Sequence, residues 1–128
     1  MQLQPTRDQV KALMKLPKDE KIVMVNLLKY HEKAGENRTG AEAYRDYSNA
    51  IRPLLEKAGG RVLWVGNTMA QVIGEEDQNW DAVAIVEYPG SRAFLKMSSS
   101  PEYDAIHHDR EAALVKTVLL ATHTEYLV

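Results

Sequence analysis

The chain has 128 residues, 45% of them hydrophobic and 27% charged, which fits one globular domain that buries its own core. The formal net charge of -2, with both signs mixed along the chain, argues against nucleic acid and membrane partners. The absence of cysteine excludes disulfides, thiol chemistry and cysteine-ligated metal sites.

The first half of the chain predicts a helix, a strand and a longer helix. Thr6 is a candidate cap for a short opening helix. Residues 22–28 read as a strand that is apolar on both faces, which indicates burial on both sides. Thr39 and Glu42 have the spacing of a capping box. The helix that follows contains Pro53, which is expected to kink it or to tighten its last turn.

The second half predicts three strands and two helices. Residues 62–65 read as a strand, and residues 69–73 are candidates to continue the same ribbon after a turn. Residues 81–88 form the next predicted strand, and Ser91 is a candidate cap for a short helix. The remaining predicted elements are a helix from Pro101 to about Lys116, capped by Ser100, and a last strand over residues 118–126.

This order of elements predicts an α+β protein with a ferredoxin-like βαββαβ fold and an antiparallel sheet. Residues 1–20 are expected to form an N-terminal helical extension, and residues 21–128 the ferredoxin-like domain. The helices would cover one face of the sheet, whereas the strands look apolar on both faces. A symmetric homodimer is the simplest cover for the open face. No apolar run has the length of a signal peptide or membrane span, so the cytoplasm is the expected location.

The chain resembles domain-of-unknown-function family 1330 over residues 22–120. The resemblance lies in short pieces whose order and spacing match, namely residues 25–30 and 59–62, Ile73-Gly74, Trp80-Asp81, residues 87–91, Phe94, Met97, residues 100–103 and His108-Asp109-Arg110. It implies a dimeric α+β barrel of the ferredoxin-like kind and no established reaction. The opening helix extends beyond the family pattern and is a candidate cap for the barrel or for a pocket mouth.

Two basic side chains lie on the buried side of the predicted long helix. Helical spacing places Arg110 on one stripe with Tyr103, and His107 lies beside that stripe. A buried cation must be paired or functional. Arg110 therefore either forms an ion pair with Asp81 or Glu87, or presents its guanidinium to an anionic or carbonyl group of a ligand. His107 either moves a proton or is a half-buried histidine satisfied by a neighbouring carbonyl.

Further candidates come from polar breaks in strands and from aromatic side chains. Asn26 interrupts an apolar strand, where an amide costs stability unless it is hydrogen-bonded. Asn26 is a candidate catalytic residue together with His107 and Arg110. The alternative is that its amide only holds a loop in place. Aromatic residues more often pack than bind a ligand. The candidate ligand-binding residues are Trp64, Tyr44, Tyr47, Glu87 and Asp81.

No metal and no cofactor are expected. No histidine has metal-ligand spacing, and the P-loop, dinucleotide-binding and serine-nucleophile motifs are missing. Haem-degrading members of the dimeric α+β barrel superfamily rely on an Asn, a Trp and a His. Asn26, Trp64 and His107 offer those residue types, with a loose correspondence.

Three functional hypotheses stay open from the sequence. The superfamily resemblance implies a cofactor-independent enzyme, monooxygenase- or isomerase-like, that acts on a small aromatic or carbonyl-containing molecule. In it, Asn26 and Arg110 would polarise a carbonyl or enolate and His107 would move a proton. The alternatives are a non-catalytic dimer that binds a small ligand and a structural dimer without a ligand. The sequence leaves open whether the protein is an enzyme.

Overall fold

A computed structural model describes residues 2–127 of the chain. Its strands form one antiparallel sheet in the order β2-β3-β1-β4. With helices between the strands, this confirms the predicted α+β class and ferredoxin-like fold. The elements are α1 (Arg7–Met14), β1 (Ile22–Tyr30), α2 (Gly40–Lys57), β2 (Arg61–Asn67), β3 (Ala82–Tyr88), α3 (Ser91–Ser98), α4 (Pro101–Asp104), α5 (His107–Ala113) and β4 (Leu114–Thr122).

Side-chain caps fix the starts of three helices, as the sequence predicts. The Thr6 hydroxyl accepts from the Gln9 amide at 3.1 Å, and the Gln9 side chain accepts from the Thr6 amide at 2.9 Å. Thr39 caps α2 through the same reciprocal pair with its third helical residue, and Ser100 caps α4. The predicted cap at Ser91 is wrong, because its hydroxyl donates to the Pro17 carbonyl at 3.5 Å and leaves the cap position to the preceding glycine.

The predicted long helix is two short helices followed early by a strand. The chain turns at Ala105 and Ile106, where tight turn bonds replace helical ones. The last strand begins at Leu114 rather than at residue 118, because residues 114–117 pair with the end of β1. Cross-strand pairing therefore overrides the local helical pattern.

The connection between β2 and β3 is also different from the prediction. Residues 69–73 form no strand, and residues 68–81 make a long irregular arm. Met69, Val72 and Ile73 on this arm are 99%, 90% and 93% exposed. These side chains find nothing to pack against within one copy of the chain.

The core lies between the helices and one side of the sheet, here called the helix-facing side. It has two clusters, one at each end of β1. The first contains Ile22, Met24, Leu55, Tyr88 and Met97. The second contains Leu28, Ala43, Ala82, Ala113 and Leu114. Strand alternation places Asn26 on the same side, between the two clusters.

The opposite side of the sheet, here called the open face, is apolar and uncovered. The strand register brings together Val23, Val25, Leu27, Val83, Ile85, Trp64, Val118 and Leu120. Trp64 is 55% exposed and Leu120 is 50% exposed. The prediction that the strands are apolar on both faces is confirmed.

Candidate functional site

Four tyrosines form a continuous cluster between α2, α4 and the end of β1. Tyr44 and Tyr47 lie three residues apart on α2 and therefore share one helix face. Their ring centroids are 5.3 Å apart, and Tyr30 lies 5.7 Å from Tyr44 on the other side. Tyr103 packs edge-on against Tyr47 at 6.3 Å, and their hydroxyls are 3.1 Å apart. We call Tyr30, Tyr44, Tyr47 and Tyr103 the tyrosine cluster.

Burial raises the pKa of three of these phenols. It raises the pKa of Tyr44 to about 12, although the positive charge of Arg110 opposes the rise. Burial also holds the pKa of Tyr47 well above its usual range, and the neighbouring Tyr103 adds to the effect. For Tyr30, burial and then the Asp81 charge raise the pKa. The cluster thus presents phenol hydroxyls, which are hydrogen-bond donors, beside aromatic surfaces.

Arg110 is a buried cation without a carboxylate partner. Its residue is 8% exposed, and Nη1 donates to the main-chain carbonyl of Leu3 at 2.9 Å. No Asp or Glu oxygen of residues 2–127 lies within 4.0 Å of the guanidinium nitrogens. Buried charges are ordinarily paired. The unneutralised guanidinium is therefore an exception that needs an explanation.

The predicted ion pair of Arg110 with Asp81 or Glu87 is wrong. Asp81 is 3.3 Å from the Lys29 ammonium and accepts from the Tyr30 amide at 2.8 Å. Glu87 points to the open face, where it pairs with Arg61 at 3.0 Å. Both carboxylates have closer partners on neighbouring strands, and the sheet separates Glu87 from the helices.

His107 begins α5 beside the tyrosine cluster. Its ring centroid is 6.1 Å from that of Tyr103. Nδ1 lies 2.9 Å from a carboxylate oxygen of Glu111, one helical turn away. The two groups lack hydrogen-bond geometry, and buried Nδ1 bonds to no described residue. The imidazole therefore keeps an unused polar atom beside a carboxylate, an arrangement suited to proton transfer.

The other predicted site residues lie apart from this group. Asn26 is on the helix-facing side, where its amide donates to the Ala84 carbonyl at 3.2 Å. Within the described part of the chain no hydrogen bond joins it to His107 or Arg110. Trp64 lies on the open face, with its indole over Gly66, where a Cβ would collide with the ring. Asn26, Trp64 and His107 do not converge, so they do not fit a haem site.

Neither of two surface cavities reaches the tyrosine cluster. One, of about 680 Å³, lies between the open face and the arm of residues 68–81, with Lys29, Trp80 and Asp81 in its wall. Another, of about 220 Å³, lies beside the end of β4. Leu3, whose carbonyl accepts from Arg110, packs against the same buried cluster as Tyr30 and Tyr44.

Some participants in this site are not among the predicted binding residues. Tyr30 and Tyr103 complete the ring cluster, and Glu111 faces His107. Tyr103, His107 and Glu111 are spaced four residues apart. This helical spacing from His107 is the sequence pattern that could have predicted Tyr103 and Glu111 as members of the site. The Leu3 carbonyl has no side-chain signature and contacts Arg110 across 107 positions of sequence.

Among residues 2–127 no group of three or more His, Asp or Glu side chains could hold a metal ion. None of the helices in this range combines the length and hydrophobicity needed to cross a membrane.

Comparison with known proteins gives a family and a fold. The model of the family described as "Domain of unknown function (DUF1330)" matches residues 35–124. No curated protein matches the sequence. The structure is similar to that of RPA0582, a protein of unknown function from Rhodopseudomonas palustris, with 32% identity, coverage of 98% of each chain and a TM-score of 0.86.

More distant structures show the same fold. A dimeric protein of unknown function with a ferredoxin-like fold, from Bacteroides fragilis, has 13% identity over 84% of this chain and 100% of its own, with a TM-score of 0.57. A hydroxynitrile lyase from Passiflora edulis has 14% identity over 86% of this chain and 99% of its own, with a TM-score of 0.61.

Proposed function

The chain belongs to the DUF1330 family, and we propose that it is a homodimer that binds a small aromatic molecule through a carbonyl or carboxylate oxygen at Arg110. The observation that carries this proposal is the buried guanidinium with no carboxylate partner among residues 2–127. A ligand oxygen with full or partial negative charge would supply the missing partner.

The surroundings of Arg110 support an aromatic ligand. The rings of the tyrosine cluster offer flat apolar walls, and their phenol hydroxyls are hydrogen-bond donors. Aromatic faces also stack well against flat ligands. A small molecule with one aromatic ring and one oxygen-bearing group matches both properties of the site.

Catalysis at the same site is the second candidate function. The buried Nδ1 of His107, with Glu111 at 2.9 Å, supports proton transfer to or from a bound molecule. An isomerase- or lyase-like reaction needs only such a transfer beside a cation that stabilises an enolate or alkoxide. The Passiflora lyase supports this candidate only in that its fold carries an enzyme. The remaining alternative is a structural dimer without a ligand.

The apolar open face supports the homodimer. A second copy would cover that face and the exposed side chains of the arm. We also propose residues 1–20 as an extension of the ferredoxin-like domain of residues 21–128, and the cytoplasm as the site of action.

The test compares benzoate with benzyl alcohol as probes, by calorimetric titration. We expect the protein to prefer benzoate, and Arg110→Met to abolish that preference while the far-ultraviolet circular dichroism is unchanged. Arg52→Met, on the exposed side of α2, is the matched control and should keep the preference. An equal preference in Arg110→Met and the unaltered protein would rule out Arg110 as the anchor.

The catalytic candidate has its own test. Once a turned-over substrate is found among aromatic carbonyl compounds, His107→Gln should lower kcat by about 100-fold or more, as expected for loss of a general acid or base. His108→Gln, an exposed neighbour, is the control. An unchanged kcat in His107→Gln would leave ligand binding as the function.

A further inference from the structure

The geometry points to a carboxylate as the natural ligand group, which takes the place of the Leu3 carbonyl and displaces residues 2–5 from the site. We call residues 2–5 the N-terminal strap. This inference rests on the proposed function, because it names the ligand chemistry and the entry route of the same Arg110 site.

The bond between Arg110 and the strap is one that a carboxylate can replace. Arg110 Nη1 donates a single bond to the neutral Leu3 carbonyl at 2.9 Å. A guanidinium has five N–H donors in a planar fork. A carboxylate accepts two of them at once, and its negative charge adds an ion-pair attraction that the neutral Leu3 carbonyl lacks. The Leu3 carbonyl therefore occupies a position at Arg110 where a carboxylate would be the stronger acceptor.

The strap itself is held by few contacts. The half-buried Leu3 side chain packs on the second core cluster, as Tyr30 and Tyr44 also do. Gln4 reaches Glu111 at 3.5 Å, the limit of a hydrogen bond, on the exposed surface. Gln2 donates to Gln4 within the strap and to Gln9 in α1. Release of the strap thus gives up the Leu3 packing, the bond to Arg110, the bond from Gln2 to Gln9 and one weak surface bond.

The next segment can stay in place when the strap leaves. The capping box of Thr6 and Gln9 lies outside the strap and holds the start of α1, although Gln9 Oε1 also accepts from Gln2. Leu13 packs on the first core cluster, at the other end of the sheet. The hinge therefore lies at residues 5 and 6, and opening of the site does not require α1 to move.

Departure of the strap also changes the surroundings of His107. Glu111 Oε1 accepts from Gln4 at 3.5 Å and lies 2.9 Å from His107 Nδ1. Without Gln4, the Glu111 carboxylate is free to turn toward the imidazole. Ligand entry would in this way complete the His107–Glu111 pair that the closed site leaves without hydrogen-bond geometry.

The experiment measures benzoate affinity in full-length variants, with benzyl alcohol as the neutral comparison. Leu3→Ala removes strap packing but leaves the Leu3 carbonyl, so its benzoate dissociation constant should fall by roughly tenfold. Met14→Ala, an exposed truncation on α1, is the control and should bind like the unaltered protein.

The benzoate affinities of Leu3→Ala and Arg110→Met distinguish displacement of the strap from ligand binding at Arg110. Suppose that Leu3→Ala binds benzoate as tightly as the unaltered protein and that Arg110→Met loses affinity. That result would refute displacement of the strap and would support ligand binding at Arg110. No preference for benzoate over benzyl alcohol in any variant would overturn both.

A second readout does not depend on the stability of Leu3→Ala. The Leu3 methyl resonances of the unaltered protein should move toward solvent-exposed values on saturation with benzoate. Methyl shifts that keep their buried values in the benzoate complex would refute displacement of the strap.

Discussion

A charge placed at the centre of the open face should dissociate the proposed dimer without unfolding the chain. Val25 is paired with Ile85 on one side and Leu120 on the other, so its side chain lies in the middle of the apolar surface. Val25→Asp would bury two carboxylates in a symmetric dimer. Desolvation costs several kcal/mol for each ion, which corresponds to a loss of dimer affinity on the order of 1,000-fold or more.

The same substitution is much milder in a separated protomer. There the open face meets water, and the cost is limited to strand propensity and lost packing, about 1 kcal/mol. Val65→Asp is the matched control, because Val65 is on β2 but points to the helix-facing side and is 60% exposed.

Sedimentation velocity at micromolar concentration is the assay for this pair of variants. The unaltered protein and Val65→Asp should sediment as dimers, and Val25→Asp as a folded monomer. A monomeric unaltered protein, or a Val25→Asp dimer as tight as the original, would refute the assignment of the open face.

Two further predictions concern the tyrosine cluster. In urea unfolding, Tyr47→Phe and Tyr103→Phe should show a coupling energy of about 1 kcal/mol, because the two tyrosine hydroxyls are 3.1 Å apart. Additive changes in the free energy of unfolding would argue against this hydrogen bond. In an alkaline titration, Tyr44 should ionise near its raised pKa of about 12 rather than at 10.0. Its protonated form therefore contributes fully to stability below pH 10.0, and that contribution is lost as the pH rises toward 12. The difference in tyrosinate absorbance between the unaltered protein and Tyr44→Phe measures this step, and a midpoint at the ordinary value would contradict the burial of the phenol.

Local signals predicted the fold well. The capping residues Thr6 and Thr39 act on amides three residues away, so their effect is visible in sequence. The apolar run of residues 22–28 likewise predicts β1 from a short stretch of sequence. These elements, taken in order, lead to the ferredoxin-like topology.

The boundaries that failed depend on distant pairing. Leu114 continues a helical pattern in sequence, but its place beside Tyr30 in the sheet makes it the start of β4. The arm of residues 68–81 has apolar residues typical of a strand but no neighbouring strand to pair with. Local propensity cannot report the presence or absence of such partners.

The candidate site was also only partly predictable, because some of its contacts join residues that are distant in sequence. Helical spacing predicts Tyr103 and Arg110 on one stripe, and both lie near Tyr47 although the structure divides that helix into α4 and α5. The partner of Arg110 was not predictable, because a main-chain carbonyl carries no residue identity. Asp81 and Glu87 were reasonable partners by charge, yet the strand register assigns them to Lys29 and Arg61.

The central claim is that Arg110 anchors a carboxylate in the place of the Leu3 carbonyl. A crystal structure of the unaltered protein grown with benzoate tests it most directly. We predict that the benzoate oxygens lie within hydrogen-bond distance of the Arg110 guanidinium, with the ring among the tyrosines and the Leu3 carbonyl displaced. Benzoate bound elsewhere, with the bond from Arg110 to Leu3 intact, would contradict the claim.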